Sequence, residues 1–270
     1  MSVSQINLLL DTVLASFLED GSISWLYYSD RLTELPLGVI GIAIATVLLP
    51  RLATLHAGRD ALLFDRTLAW AIRLVLLIGL PAMVALVLLP SELLTLLFQY
   101  KNFSSLDVER SALSLAAYAL GLPAFMLIKI LAPAFFARQD TRTPVRIGIQ
   151  AMVWNMAFNL MLILPLAHAG LALATSMSAW LNAGLLAWHL RQEGRFPQWP
   201  MLGPTILRAL VASAVMATLL WAMTRSAALT MPDDFLGRAE VVALLVVAGL
   251  VSYSLTLLLV GVRPKDIKHP

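Results

Sequence analysis

The chain has 270 residues, 60% of them hydrophobic and only 13% charged, with a mean hydropathy of +0.83. Soluble domains are roughly 45–50% apolar and about 25% charged, so a water-soluble globule is excluded and an integral membrane protein is indicated. The absence of cysteine excludes disulfides, thiolate metal sites and Cys nucleophiles, and the net charge of +3 is spread among loops, which points to membrane topology rather than to nucleic acid.

Taken in chain order, eight apolar segments stand out, at approximately 2–18, 32–50, 68–90, 111–136, 145–165, 167–190, 204–224 and 239–262. Most have the roughly 20 residues that a helix needs to cross a bilayer. The connections are short and polar. The expected fold is therefore all-α, a polytopic bundle of eight membrane helices with no extramembrane domain. The first segment is shorter than a full span, and no cleavable signal peptide precedes it. A chain that starts inside a helix, with an N-terminal part absent, is the expectation.

Lys and Arg set the orientation. Arg51, Arg59, Arg66, Arg138, Arg142, Arg146, Arg191, Arg195, Arg263, Lys265 and Lys268 fall in one alternating set of connections. Only Arg31, Lys101, Arg110, Arg225 and Arg238 fall in the other. The positive-inside rule makes the first set cytoplasmic, the C-terminus included. Acids at Glu19, Asp20, Asp233 and Asp234 lie in the outer set. Aromatics near segment ends (Trp25, Tyr27, Tyr28, Tyr100, Trp188, Trp199) read as an interfacial belt. Pro81, Pro123 and Pro133, with Gly79, Gly121, Gly184 and Gly249, interrupt the spans and predict kinks.

Polar residues inside hydrocarbon mark function, because burying them is costly. Asp11 sits midway along the first segment. An isolated carboxylate there must be protonated, paired or bound to a cation. Asn155 and Asn159 are four apart and stack on one helical face. Thr175, Ser178 and Asn182 form a second stripe on the next segment, joined to the first by a tight turn around Ala167–Gly170. If Asp11 meets these residues, one carboxylate, two amide oxygens and a hydroxyl make an oxygen cage for a monovalent cation such as Na⁺. Helix-to-helix hydrogen bonding is the alternative. Lys129 lies within the fourth segment and either snorkels to the interface or faces a cavity. In the stretch Tyr27–Val39, Asp30, Arg31 and Glu34 share a helix face at the outer edge of the second segment. Arg31 is there either neutralised by Asp30 and Glu34 or free to grip a phosphate or carboxylate. No P-loop, HExxH or GxSxG is present, and the four histidines are scattered, so an ATPase or hydrolase is not indicated.

Four stretches carry a family resemblance: SVSQINLLLDTVLASFL (2–18), YYSDRLTELPLGVIGIAIATVLLP (27–50), LFQYKNF (97–103) and KILAPAFFARQDTRTPVRI (129–147). Together they resemble the MurJ/MviN family of lipid II flippases, within the multidrug/oligosaccharidyl-lipid/polysaccharide exporter superfamily. That resemblance implies a family architecture of fourteen membrane helices, two six-helix lobes in a V followed by two more helices. The eight segments match helices seven to fourteen: residues 1–195 as the C-terminal lobe, with its first helix truncated, and 196–270 as the extra pair and a short tail. It implies transport rather than enzymatic catalysis. Lipid II, an undecaprenyl-diphosphate glycolipid, would pass from the inner to the outer leaflet of the bacterial inner membrane by alternating access, serving peptidoglycan synthesis.

The resemblance puts the family's cavity arginine on Arg31, flanked by Asp30 and Glu34, with Lys129 as a further substrate-binding residue. It implies no cofactor beyond Na⁺ as a coupling ion, at Asp11, Asn155, Asn159 and Thr175. Asn159 stands where the family can carry Asp, leaving one carboxylate fewer. The helices at 204–224 and 239–262 are similar to the pair that forms a groove for the lipid tail. The implied partners are lipid II, membrane lipids and an N-terminal lobe this sequence does not contain. A related drug or polysaccharide-lipid exporter, or a non-transporting scaffold or truncated product, are the alternative readings. Without the first lobe, the chain alone is expected to be inactive.

Overall fold

An apolar chain in lipid has to satisfy its backbone internally, and helices do so within a single segment. In a computed structural model of the protein, residues 3–100, 103–226, 231–232 and 234–262 are described. Ser2, Lys101, Asp233, Arg263, Lys265, Lys268, His269 and the Trp199 side chain lie outside them. The described residues form helices and no strand. Their order is α1 (Val3–Ala15), α2 (Ser22–Pro36), a π-helical stretch (Leu37–Ile42), α3 (Ala43–Ala57), α4 (Ala61–Leu88), α5 (Pro90–Phe98), α6 (Ser105–Ala119), α7 (Leu122–Phe136), α8 (Arg142–Gln192), α9 (Trp199–Thr224) and α10 (Phe235–Leu259).

Among the described residues, five stretches are long and apolar enough to cross a membrane, or six when the α2–α3 pair is taken as one span. The largest departure from hydropathy is at that pair. The apolar window suggests a helix over 32–50, yet the helix starts at Ser22. Trp25, Ser29, Leu32 and Thr33 are buried on one face of α2, which packs against α6. Ser29 Oγ donates to Ser111 O at 2.7 Å. The polar residues between them face elsewhere, and averaging over a window hides such a face. Pro36 cannot donate its backbone nitrogen, and the ladder widens over Leu37–Ile42. The two arms bend there by 43°.

Pro90 ends α4 and opens α5, a short helix that hydropathy alone does not separate. Residues 111–136 are likewise split into α6 and α7 at Leu120–Gly121. A Cβ on Gly121 would come within 2.6 Å of Ser176 Oγ, so only glycine lets α8 approach this close.

α8 contains two helices. Ala167 has φ 48° and ψ −129°, just after Pro165, and the chain turns back there. Leu162 O lies against Gly170 Cα so closely that any Cβ would clash. The turn expected around Ala167–Gly170 is thus present, and its two arms run antiparallel. Buried His168 at the turn contacts Arg110 O at 3.0 Å and packs on Trp25, with ring centroids 4.9 Å apart.

α4 is central, with Phe64, Leu68, Ala71, Ile72 and Val75 buried against α3, α7 and α9. α9 and α10 pack on one another through Met216, Leu220, Leu245 and Tyr253. Tyr253 Oη donates to Leu77 O at 2.6 Å. Leu77 is four residues before Pro81, whose missing N–H frees that carbonyl. The hydroxyl therefore repairs the helix and fastens α10 to α4. Tyr253→Phe is expected to cost about 1–3 kcal/mol, the penalty of a buried acceptor left unpaired. Thermal unfolding of the purified chain in detergent measures it, and an unchanged midpoint would show that the Leu77 carbonyl finds another donor.

The connections fall at two opposite ends. Arg138 pairs with Glu193, tying the α7–α8 loop to the α8–α9 loop at the end that holds most of the basic residues. At the other end Arg110 lies 3.5 Å from Glu19, and Arg238 Nη1 donates to Gln99 O at 3.2 Å.

Candidate functional site

Asp11 is 8% exposed, in the last turns of α1. Both arms of the α8 hairpin reach it. Asn159 Nδ2 donates to Asp11 Oδ1 at 2.6 Å, and Thr175 Oγ1 donates to Asp11 Oδ2 at 3.4 Å. Asn159 Nδ2 also donates to Asn155 Oδ1 at 3.1 Å, and Asn155 Nδ2 points to Thr175 Oγ1 and Ser178 Oγ, each at 3.4 Å. Asn155 and Asn159 are 1% and 0% exposed. Five residues singled out from sequence, Asp11, Asn155, Asn159, Thr175 and Ser178, are thus in one cluster.

The donor set can be tested against a cation. Asn159 Oδ1 is buried and has no hydrogen-bond partner among the described residues. Turning that amide over would exchange an N–H donor for a carbonyl oxygen at the Asp11 carboxylate. The cluster then offers one carboxylate, amide oxygens and hydroxyls. That fits a monovalent cation. Tight divalent sites use more charge than a single carboxylate supplies. Among the described residues, no group of three or more His, Cys, Asp and Glu side chains could hold a metal.

Beside the cluster, α1, α2, α6, α7 and both arms of α8 line a cleft of about 670 Å³. Asp11, Asp30, Glu34 and Lys129 line it. Lys129 therefore stands on the cleft wall, exposed and without an ion pair among the described residues. Asp30 is half-buried there. Arg31 is not part of this lining. It points off the bundle, its side chain 55% exposed, with Nη1 2.6 Å from Glu34 Oε2 and its guanidinium 4.9 Å from the Tyr27 ring centroid. Only Glu34 pairs with it among the described residues, whereas sequence offered Asp30 as well. The stretch also lies within a helix begun at Ser22 rather than at its mouth, because α2 starts earlier than hydropathy indicates. The neighbours of Arg31 on the outward face are Tyr27, Leu35 and Val39, exposed by 54%, 59% and 72%.

Sequence reasoning missed the cleft's Tyr118, buried within α6. A lone tyrosine inside SLAAYALG was the available signal. It also missed Trp25, whose Nε1 donates to Asp107 Oδ1 at 2.7 Å, because a belt position hides a specific partner.

The model of the family described as "MurJ: Lipid II flippase MurJ" matches residues 1–233. The chain belongs to the lipid II flippase MurJ family. It is 47% identical over 269 residues to a probable lipid II flippase MurJ of Vibrio cholerae, covering 99% of this chain and 51% of that protein. A probable lipid II flippase MurJ of Haemophilus influenzae is 46% identical, covering 97% of this chain and 52% of the relative. A solved structure of lipid II flippase MurJ in an inward closed conformation superposes with a TM-score of 0.76 at 25% identity, over 94% of this chain and 50% of that one. The chain thus spans about half the length of the MurJ relatives it matches. With bacterial relatives and several membrane-length apolar helices, it is a bacterial membrane protein.

Proposed function

We propose that this chain forms the C-terminal lobe and the two following helices of a lipid II flippase, a transporter and not an enzyme. The carrying observation is the outward face of α2. An Arg–Glu pair stands exposed within a row of apolar side chains, at mid-helix. Facing lipid, such a pair is expensive; facing an aqueous gap closed by a second lobe, it is available to an anionic headgroup. Arg31 would hold the diphosphate in bidentate fashion, with Glu34 releasing it, and Lys129 would be a second cationic contact. The headgroup could then cross about 30 Å of hydrocarbon while its tail stays in lipid, along α9 and α10.

The same reading takes α1, the bent α2–α3 unit, α4, the α6–α7 unit, the two arms of α8, α9 and α10 as eight membrane helices. Residues 1–195 are the transport lobe and 196–270 the added pair. The basic end faces the cytoplasm, in the inner membrane, with the C-terminus inside. Asp11, Asn155, Asn159 and Thr175 would hold Na⁺ as the coupling ion.

A chimaera tests the reading: this chain replaces the matching half of the Haemophilus influenzae relative in cells depleted of their flippase. Growth and cell shape are expected to recover with the chimaera and not with this chain alone. A chimaera that inserts into the membrane yet fails to rescue would refute the flippase reading, and rescue by the chain alone would refute the need for a second lobe.

A further inference from the structure

The cleft beside Asp11 holds a carboxylate, Asp30, that the headgroup-binding reading does not use. Asp11, Asp30 and Glu34 line it with Lys129, and Glu34 is itself paired with Arg31 at 2.6 Å, which leaves the acids in slight excess. A low-dielectric cleft with an excess of one sign of charge concentrates the opposite ion. Its neutral oxygens are ordered too. Thr175, Ser178 and Asn182 line it at i, i+3 and i+7, on one face of the second arm of α8. At 1.5 Å per residue they span roughly 10 Å, from the Asp11 cluster toward the Arg191 end. The cleft continues to Phe136 and Pro144, at the basic end of the bundle. Two amide oxygens by its deep end, Asn7 Oδ1 and Asn159 Oδ1, are buried without partners among the described residues.

We propose that this cleft is the access route by which a monovalent cation reaches the Asp11 cluster from the basic end. Asp30 attracts the ion. Asn182 and Ser178 pass it inward from oxygen to oxygen. Lys129 is the fixed charge that opposes it and sets how much of the time the route is filled. The proposal rests on the cation-site reading of the Asp11 cluster and adds the path and its selectivity.

The absence of cysteine makes the test direct. Ser178→Cys and Asn182→Cys are introduced singly into the full chain in membrane vesicles. Their reaction with a cationic trimethylammonium-ethyl methanethiosulfonate is compared with that of the anionic sulfonatoethyl reagent. Both positions should react, with the cationic reagent favoured by roughly ten-fold or more over its preference for a free thiol in solution. Lys129→Met should raise that preference and Asp30→Asn should lower it. Replacing choline by Na⁺ at constant ionic strength should slow modification at position 178 more than at 182. Equal rates for the two reagents, or thiols that react only after unfolding, would overturn the route. A charge preference that persists with no Na⁺ protection would instead overturn the Asp11 cation site.

Discussion

Arg31→Ala in the chimaera will abolish rescue of flippase-depleted cells without lowering the amount of folded protein. Arg31 pairs with Glu34 and lies over Tyr27; its side chain is 55% exposed. Removing it leaves no buried partner unsatisfied, so folding should be indifferent. Transport should fall by roughly ten-fold or more, because charge-assisted contacts to a phosphate are stronger than neutral ones. Arg31→Lys keeps the charge and loses the planar fork, so an intermediate rate is expected. Glu34→Gln frees the guanidinium and should be the mildest of the three. Rates of lipid II externalisation, set against membrane levels of each variant, decide the matter. Full activity in both Arg31→Ala and Arg31→Lys would make the pair a surface cap with no role in transport.

The second large effect belongs to Asp11. Na⁺ should raise the thermal midpoint of the purified chain relative to K⁺ at the same ionic strength, and Asp11→Asn should erase the difference. A ligand at about one hundred times its dissociation constant stabilises by about 2.7 kcal/mol, which sets the scale of the shift. Asparagine is nearly isosteric and can still bond to Asn159 and Thr175, so the variant should fold. Loss of activity alone does not distinguish an ion ligand from a structural carboxylate; the ion-specific shift separates the two. An equal midpoint in Na⁺ and K⁺ for the parent chain would remove the cation site.

Much of this protein is legible without coordinates because hydropathy and charge are local. Apart from α2, the apolar windows locate the bundle's helices to within several residues, and the break at Ala167 falls in the turn expected around Ala167–Gly170. The periodicity of Asn155 and Asn159, and of Thr175, Ser178 and Asn182, identifies faces correctly. The errors lie where a window average conceals direction. α2 begins at Ser22 because one of its faces is buried on α6, although its mean hydropathy is low. α5 is a separate helix because Pro90 cuts the apolar run.

That the chain is a membrane protein, which residues carry charge there and which segment ends are basic can all be read from the residues in order, since each is a property of a residue and its near neighbours. Tertiary structure alone decided which polar groups meet. Asp11 reaches Asn159 across 148 positions and Thr175 across 164, and Tyr253 reaches Leu77 across 176. It also turned Asp30 into the cleft and Arg31 away from it, although they are consecutive. Successive residues on a helix point about 100° apart, so the rotation of α2 against α6 assigns each to its side. That rotation is fixed by packing between distant segments.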